Sequence, residues 1–347
     1  MQLSPDEQSI RSLAEHFFRD RAPLETQQAA AHDALFAGTR ADPRRGLCEE
    51  MAELGFFSQA VDESRGGLGM RPVVSGLICE AAGRELSSGL WLDQLLAVHS
   101  ADMAGASMCE ELTEGRQLAS LAMVTTREPR DGRAAVATVQ FADDSDVWLV
   151  LDGHGVSIGH PRQRQSVADV PSVDLLCTTA AVRVDDLDVI EYRSVTSSLY
   201  RRLAHRLGLL VAAYSVGAAS RCLELAVDYA KQRQQFGRPI GSFQAIKHRA
   251  ANAQIELIHA RSAVYHALAT GVGAAEARVA ADRCLRSTAE SSLQMHGGIG
   301  FTAEVPMHVF LRVGQRLRSW PQPVEWSFDD IRHHLAIDGE LSVAVGS

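Results

Sequence analysis

Three long helical stretches, separated by two short glycine-bearing breaks, constrain the fold of this chain more than any other feature of its sequence. Residues 196–232 form one uninterrupted amphipathic stretch. Phe236-Gly237-Arg238-Pro239 stops it, because Gly237 permits a tight turn and Pro239 forbids helical continuation. A second helix is expected over 242–270 and a third over 273–296, where Gly297-Gly298-Ile299-Gly300 ends it. Shorter helices are expected over 304–318 and 326–336. Long helices with connections this short pack as an antiparallel bundle.

The N-terminal part also reads as helical. Ser4 suits an N-cap, Pro5 the first turn, and Asp6 and Glu7 the positive end of the helix dipole. Leu13, Phe17 and Phe18 then recur at helical spacing. Pro43 to Leu54 predicts a second helix stopped by Gly55, residues 64–70 a glycine-rich loop, Val73 to Arg84 a third helix, and 89–115 further ones. The character changes near Gln117. Short runs rich in Val, Ala and Leu (118–124, 134–141, 146–151, 155–160, 180–184), punctuated by Gly, Asp and Pro, predict a small antiparallel β domain. The expected fold is α+β and mostly α. It comprises an N-terminal helical domain (1–116), a shortened middle β domain (117–194) and a C-terminal helical bundle (195–347).

Composition narrows the function classes. Lys and Arg number 34 against 43 Asp and Glu, a net charge of −9. An acidic chain is poorly suited to neutralising nucleic-acid phosphates, so no nucleic-acid partner is expected. The six cysteines are widely spaced and form no CxxC pair, which excludes a zinc ribbon and fits reduced thiols. The first residues carry no apolar signal core, and the longest apolar run, Leu207 to Ala213, is too short to span a membrane. A cytoplasmic helical enzyme or subunit is expected.

Two motifs stand out. Arg233-Gln234-Gln235-Phe236-Gly237-Arg238-Pro239-Ile240 lies where one long helix stops and the next begins. Its Arg233 offers a planar donor suited to a phosphate. A charged helix–helix connection would look the same. Gln294-Met295-His296-Gly297-Gly298-Ile299-Gly300 puts three glycines in four positions, which permits close backbone approach to an anion; a plain helix C-cap is the other reading. His296 and His248 read as capping or packing residues, and no metal site is expected because no His, Cys and carboxylate cluster has ligand spacing. There is no GxSxG elbow and no GxxxxGK[ST] loop.

Taken together, RQQFGRPIGSFQAIKHRAANA followed about fifty residues on by QMHGGIGF resembles the C-terminal domain of flavin-dependent acyl-CoA dehydrogenases. LSPDEQSIRSLAEHFF resembles that family's first helix, and Ala52-Glu53-Leu54-Gly55 with Gly66-Gly67-Leu68-Gly69 a further segment. The resemblance covers nearly the whole chain, strongest over 222–312 and weakest over 117–192. It implies an oxidoreductase acting on a CH–CH bond of an acyl-CoA thioester, with FAD held between two subunits. By the same resemblance Arg233 pairs with the pyrophosphate of a neighbour's FAD, Gln235 and Phe236 lie beside it, and Gln244 faces the adenosine end. Gln294, Gly297 and Gly298 approach the cofactor backbone-first.

The family reaction needs a glutamate base, and here the resemblance fails. About two dozen residues beyond Gly297 stands Pro321, in Ser319-Trp320-Pro321-Gln322-Pro323-Val324-Glu325-Trp326, with no Tyr-Glu-Gly-Thr. The family's alternative base position falls near Leu207 and Gly208, again without a carboxylate. Thr126-Arg127-Glu128-Pro129-Arg130-Asp131 lacks the Gly-Ser pair of the segment that contacts flavin and substrate, and the tryptophan-bearing strand beside the flavin is not recognisable. What is missing would serve the subunit's own flavin ring; what remains would serve a neighbour's FAD. That is the pattern of the base-less chain in heteromeric α2β2 acyl-CoA dehydrogenases of actinobacterial steroid degradation. The resemblance therefore implies a related partner subunit carrying the catalytic Glu and a steroid-derived CoA ester as substrate. The competing readings are a stand-alone flavoenzyme with a displaced base, Glu325 being the candidate, and a flavin-free structural or regulatory homologue.

Overall fold

The computed structural model describes residues 3–124, 136–162, 168–170 and 172–318. Its N-terminal part is helical: α1 (Pro5–Arg21), α2 (Leu24–Ala37), α3 (Arg45–Glu53), α4 (Val73–Arg84), α5 (Trp91–Ala104) and α6 (Cys109–Thr113). α1 starts as its sequence requires. The Ser4 hydroxyl accepts from the Glu7 N–H, and the Glu7 carboxylate accepts from the Ser4 N–H, closing a capping box. Phe17 meets Phe56 edge-on and Phe18 meets Trp91 at a tilt, both at centroid distances of 5.3 Å, and together they seed the main core.

The middle of the chain forms one sheet. Its strands are β1 (Ala119–Val124), β2 (Val136–Gln140), β3 (Val147–Leu151), β4 (Gly155–Pro161), β5 (Ala168–Asp169), β6 (Thr179–Arg183) and β7 (Leu187–Ser194), in the order β5-β6-β2-β1-β3-β4-β7. The expected all-antiparallel sheet needs correction, because β1 and β3 pair in parallel, with Ala119 beside Val147. β2 returns along one side of β1 and β3 is laid on the other, which forces β3 into the direction of β1. Alternation sorts the side chains to two faces. Leu121, Leu149, Leu151, Val156 and Ile158 join the main core, whereas Ala122, Val139, Trp148, Val150 and Val182 form a second, smaller one. Where β1 runs beyond its pairing with β2, α5 supplies the missing acceptors. Gln94 takes the Ala119 N–H at 2.6 Å and Asp93 the Leu121 N–H at 3.1 Å.

The C-terminal part is a four-helix bundle of α7 (Ser197–Gln232), α8 (Gln244–Thr270), α9 (Ala274–His296) and α10 (Met307–Arg318). Two glycines bring α4 and α7 backbone to backbone. A Cβ on Gly83 would overlap the carbonyl of Tyr214, and one on Gly217 that of Glu80. α7 also corrects the reading that nothing here is long and apolar enough to cross a membrane. By length and composition it is, but 78% of its most apolar 18-residue window is buried inside the bundle, so its apolarity serves the core. Arginines on α10 tie the bundle to the sheet. Arg316 reaches Asp174 at 2.6 Å and Gln140 at 3.0 Å, and Arg312 donates to the Val173 carbonyl at 3.1 Å. The helix expected over 326–336 lies outside the described residues.

Candidate functional site

The break after α7 is a small hairpin. β8 (Gln234–Gln235) pairs with β9 (Arg238–Pro239), placing Gln235 opposite Arg238. The two turn residues are left-handed, Phe236 at φ 53° and Gly237 at φ 78°, as a two-residue hairpin turn of the I′ kind requires. Gly237 adopts this freely, whereas Phe236 is strained by it. The rest of the hairpin holds Phe236 in place. Its ring meets Phe243 edge-on at 6.2 Å, and the Arg238 guanidinium lies 4.2 Å over the same Phe243 ring. Even so, Phe236 is 91% exposed.

Arg233 is the last cap residue of α7. Its N–H donates to the Tyr229 carbonyl and its own carbonyl accepts from the Ile240 N–H, both at 2.8 Å. The backbone is therefore locked on both sides, while the guanidinium is exposed and makes no hydrogen bond or ion pair among the described residues. Gln235 and Gln244, the latter the first residue of α8, are likewise exposed. α8 begins without a side-chain cap, so its positive end faces outward beside Gln244.

The glycine turn ends α9, and its glycines have different reasons to be glycine. Gly297 sits at φ 66°, ψ −140°, a region that side-chain-bearing residues avoid. A Cβ on Gly300 would lie 2.8 Å from the Leu293 carbonyl oxygen, so close packing requires it. Gly298 has neither reason: its φ is not positive and nothing lies within 4 Å of where its Cβ would be. None of the described residues requires its bare backbone. Gln294, one turn earlier, is exposed.

The structure brings the two motifs together through residues that sequence reading left out or took for packing. The Tyr229 ring stacks on that of His296, centroids 4.3 Å apart and planes 21° from parallel. His296 is buried and its Nδ1 lies 2.8 Å from the Ser292 carbonyl oxygen, which bears out a packing role. Tyr229 precedes Arg233 by one helical turn, the only sequence signal that could have singled it out. The start of α8 lies beside the last turns of α9. Between them runs an open groove of about 320 Å³ that includes Ala245, His248, Asn252, Ser287 and Ser291. Arg233, Gln235, Phe236, Gln244, Gln294, Gly297 and Gly298 thus belong to one exposed end of the bundle. A cation unpaired among the described residues, exposed amides and a glycine open on its outer side fit the chemistry of a pyrophosphate.

The base positions are different. Leu207 and Gly208 are buried in α7, with no carboxylate nearby on the helix. The guanidinium of Arg278 donates to the Gly208 carbonyl at 3.4 Å and also to that of Leu317, and it pairs with Asp282 at 2.9 Å. Pro321 and Glu325 lie outside the described residues, as does the Thr126–Asp131 segment. The sheet does carry a tryptophan on a strand, but Trp148 lies in the second core and its indole N–H donates to the Ala142 carbonyl at 3.1 Å. Among the described residues no His, Cys, Asp and Glu group could hold a metal. All six cysteines are free and buried; burial pushes the Cys48 thiol up to about 12, which leaves it unreactive.

Comparison with known proteins agrees with this architecture. The profile of the acyl-CoA dehydrogenase N-terminal domain matches residues 4–114, and that of the C-terminal domain residues 203–320. Acyl-CoA dehydrogenase IpdE2 of Mycobacterium tuberculosis is 30% identical over 273 residues, spanning 77% of this chain and 78% of its own. The ChsE4–ChsE5 complex of Mycobacterium tuberculosis has the same fold at a TM-score of 0.76, with 19% identity over 96% of this chain and 98% of that one. A variant of the Tcur3481–Tcur3483 steroid ACAD matches with a TM-score of 0.76 and 20% identity, over the same 96% and 98%. By sequence and by fold, this chain belongs to the acyl-CoA dehydrogenase family.

Proposed function

We propose that this chain is the base-less subunit of a heteromeric FAD-dependent acyl-CoA dehydrogenase, completing the FAD site of a related subunit that carries the catalytic Glu. The observation that carries this reading is Arg233. A guanidinium on a locked backbone, exposed and unpaired among the described residues, shares one end of the bundle with a glycine whose missing side chain none of the described residues requires. Both features await a ligand held by another molecule.

Bound FAD would supply the hydride acceptor for desaturation of an acyl-CoA thioester. This chain's part is to bind and orient. Arg233 neutralises pyrophosphate charge, Gln235 and Phe236 border it, Gln244 and Gln294 offer amides toward the adenosine end, and Gly297 and Gly298 present backbone N–H groups. No proton at a substrate α-carbon is taken by Leu207 or Gly208, which have no base to offer. The substrate class we assign is a steroid-derived CoA ester, in an α2β2 assembly acting in the cytoplasm. Two matched structures support this as analogy of fold: both are named as pairs of different chains, and one is called a steroid ACAD.

The test is to purify a tagged copy of the chain from its native host with whatever chain accompanies it. About one FAD per pair of unlike chains, with little flavin on the tagged chain alone, is the expected result. A homomer with one FAD per chain and its own turnover would overturn the proposal.

A further inference from the structure

We propose that Tyr229 and His296 are positioning residues of the cofactor site, their ring stack setting the distance between Arg233 and the glycine turn. The inference rests on the FAD reading above. Each ring is coupled to one half of the site by the shortest possible path. The Tyr229 carbonyl accepts the Arg233 N–H at 2.8 Å, so the tyrosine backbone directly holds the residue that meets pyrophosphate. His296 immediately precedes Gly297 in the chain, and its Nδ1 is anchored 2.8 Å from the Ser292 carbonyl oxygen. The rings then meet face to face at 4.3 Å, and the Tyr229 hydroxyl points to the His296 carbonyl oxygen at 3.5 Å. Ala226, Ala230 and Leu293 are buried around the same junction, so the stack is the aromatic part of a packed α7–α9 seam. A shift between the ends of α7 and α9 would move the cation away from the amide donors that act on the same two phosphates. His296 is buried and Tyr229 half-buried, so both rings would act through Arg233 and Gly297, their neighbours.

The experiment uses the purified complex, stripped of flavin and titrated with FAD and, separately, with FMN, which lacks the adenylate half that this end of the bundle would hold. Arg233→Ala serves as the control for the site itself. Tyr229→Leu keeps apolar volume and removes the stack; Tyr229→Phe and His296→Phe keep a ring. The expected result is about ten-fold weaker FAD binding in Tyr229→Leu, with FMN binding unchanged and near-native FAD affinity in both Phe variants. Native FAD affinity in Tyr229→Leu, an equal loss of FMN and FAD, or an equal loss in Tyr229→Phe would overturn the positioning role. Native FAD affinity in Arg233→Ala would instead overturn the reading of the site on which it rests.

Discussion

The guanidinium of Arg278 reaches from α9 to the carbonyl oxygen of Gly208 on α7, 3.4 Å away, and the same group also holds the Leu317 carbonyl near the end of α10. Gly208, at one of the two places where the resemblance would put a base, and the end of α10 are thus braced by a single buried cation. Arg278 is 1% exposed and pairs with Asp282. Removing one partner of such a pair strands the other and takes its donor from the Leu317 carbonyl near the end of α10. Arg278→Met should therefore cost about 3 kcal/mol, read as a fall in the urea unfolding midpoint at constant slope. The double change Arg278→Met with Asp282→Leu should recover part of that loss. A cost below about 1 kcal/mol for the single change would mean that the pair contributes little.

Arg233 should behave in the opposite way. Its side chain has no partner in the described structure, so Arg233→Ala should leave the unfolding midpoint of the isolated chain within about 0.5 kcal/mol of wild type. The same change should strip FAD from the assembled complex. Arg233→Lys should restore only part of the affinity, because an ammonium cannot make the planar two-point contact with phosphate. A large loss of stability in the isolated chain would point to a structural role for the Arg233 guanidinium.

Much of this fold is written locally. The limits of α4 follow from Pro72 ahead of it and the periodic apolar residues within it, and the breaks at Gly237 and Gly297 follow from their backbone demands. β7 escaped notice because it is an edge strand. Val189, Ile190 and Tyr192 are about half exposed, so no alternation of buried and exposed positions marks it. α2 escaped because its alanines and glutamines carry a weak amphipathic signal and its N-cap, Pro23, offers no capping side chain. The parallel pairing of β1 and β3 is a matter of long-range order, which no local pattern encodes. The site divides in the same way. Arg233 and the glycines are legible one by one, but the Tyr229–His296 stack exists only once α7 and α9 have packed.

Gly297 and Gly298 should separate experimentally. Gly297→Ala forces a side chain into φ 66°, ψ −140° and should cost about 1–3 kcal/mol of stability. Gly298→Ala meets open space and should leave stability unchanged, yet it should weaken FAD binding in the complex by adding a methyl group on the outer side of the turn. Urea titration of the isolated chain and flavin content of the complex read the two effects independently. Unchanged flavin content in Gly298→Ala would place the cofactor's path away from this turn.

Asp93 should make stability depend on pH in a direction unusual for an aspartate. Its carboxyl group is 1% exposed; one oxygen accepts the Leu121 N–H, and the other has no hydrogen-bond partner. Burial pushes it up to about 7, against the opposing pull of the Leu121 N–H and of the Arg316 cation. The folded state therefore holds a proton that the unfolded chain releases near pH 4. Between about pH 4 and pH 7 the folded form binds more protons, so this group's contribution falls as pH rises, by about 1.4 kcal/mol per unit at most. Asp93→Asn keeps an acceptor for Leu121 and removes the titration. Its stability relative to wild type should therefore rise by a few kcal/mol from pH 4.5 to pH 8, as read from urea midpoints at the two pH values. The Asn variant gaining nothing over that interval would mean that Asp93 stays ionised in the fold and that Arg316 outweighs its burial.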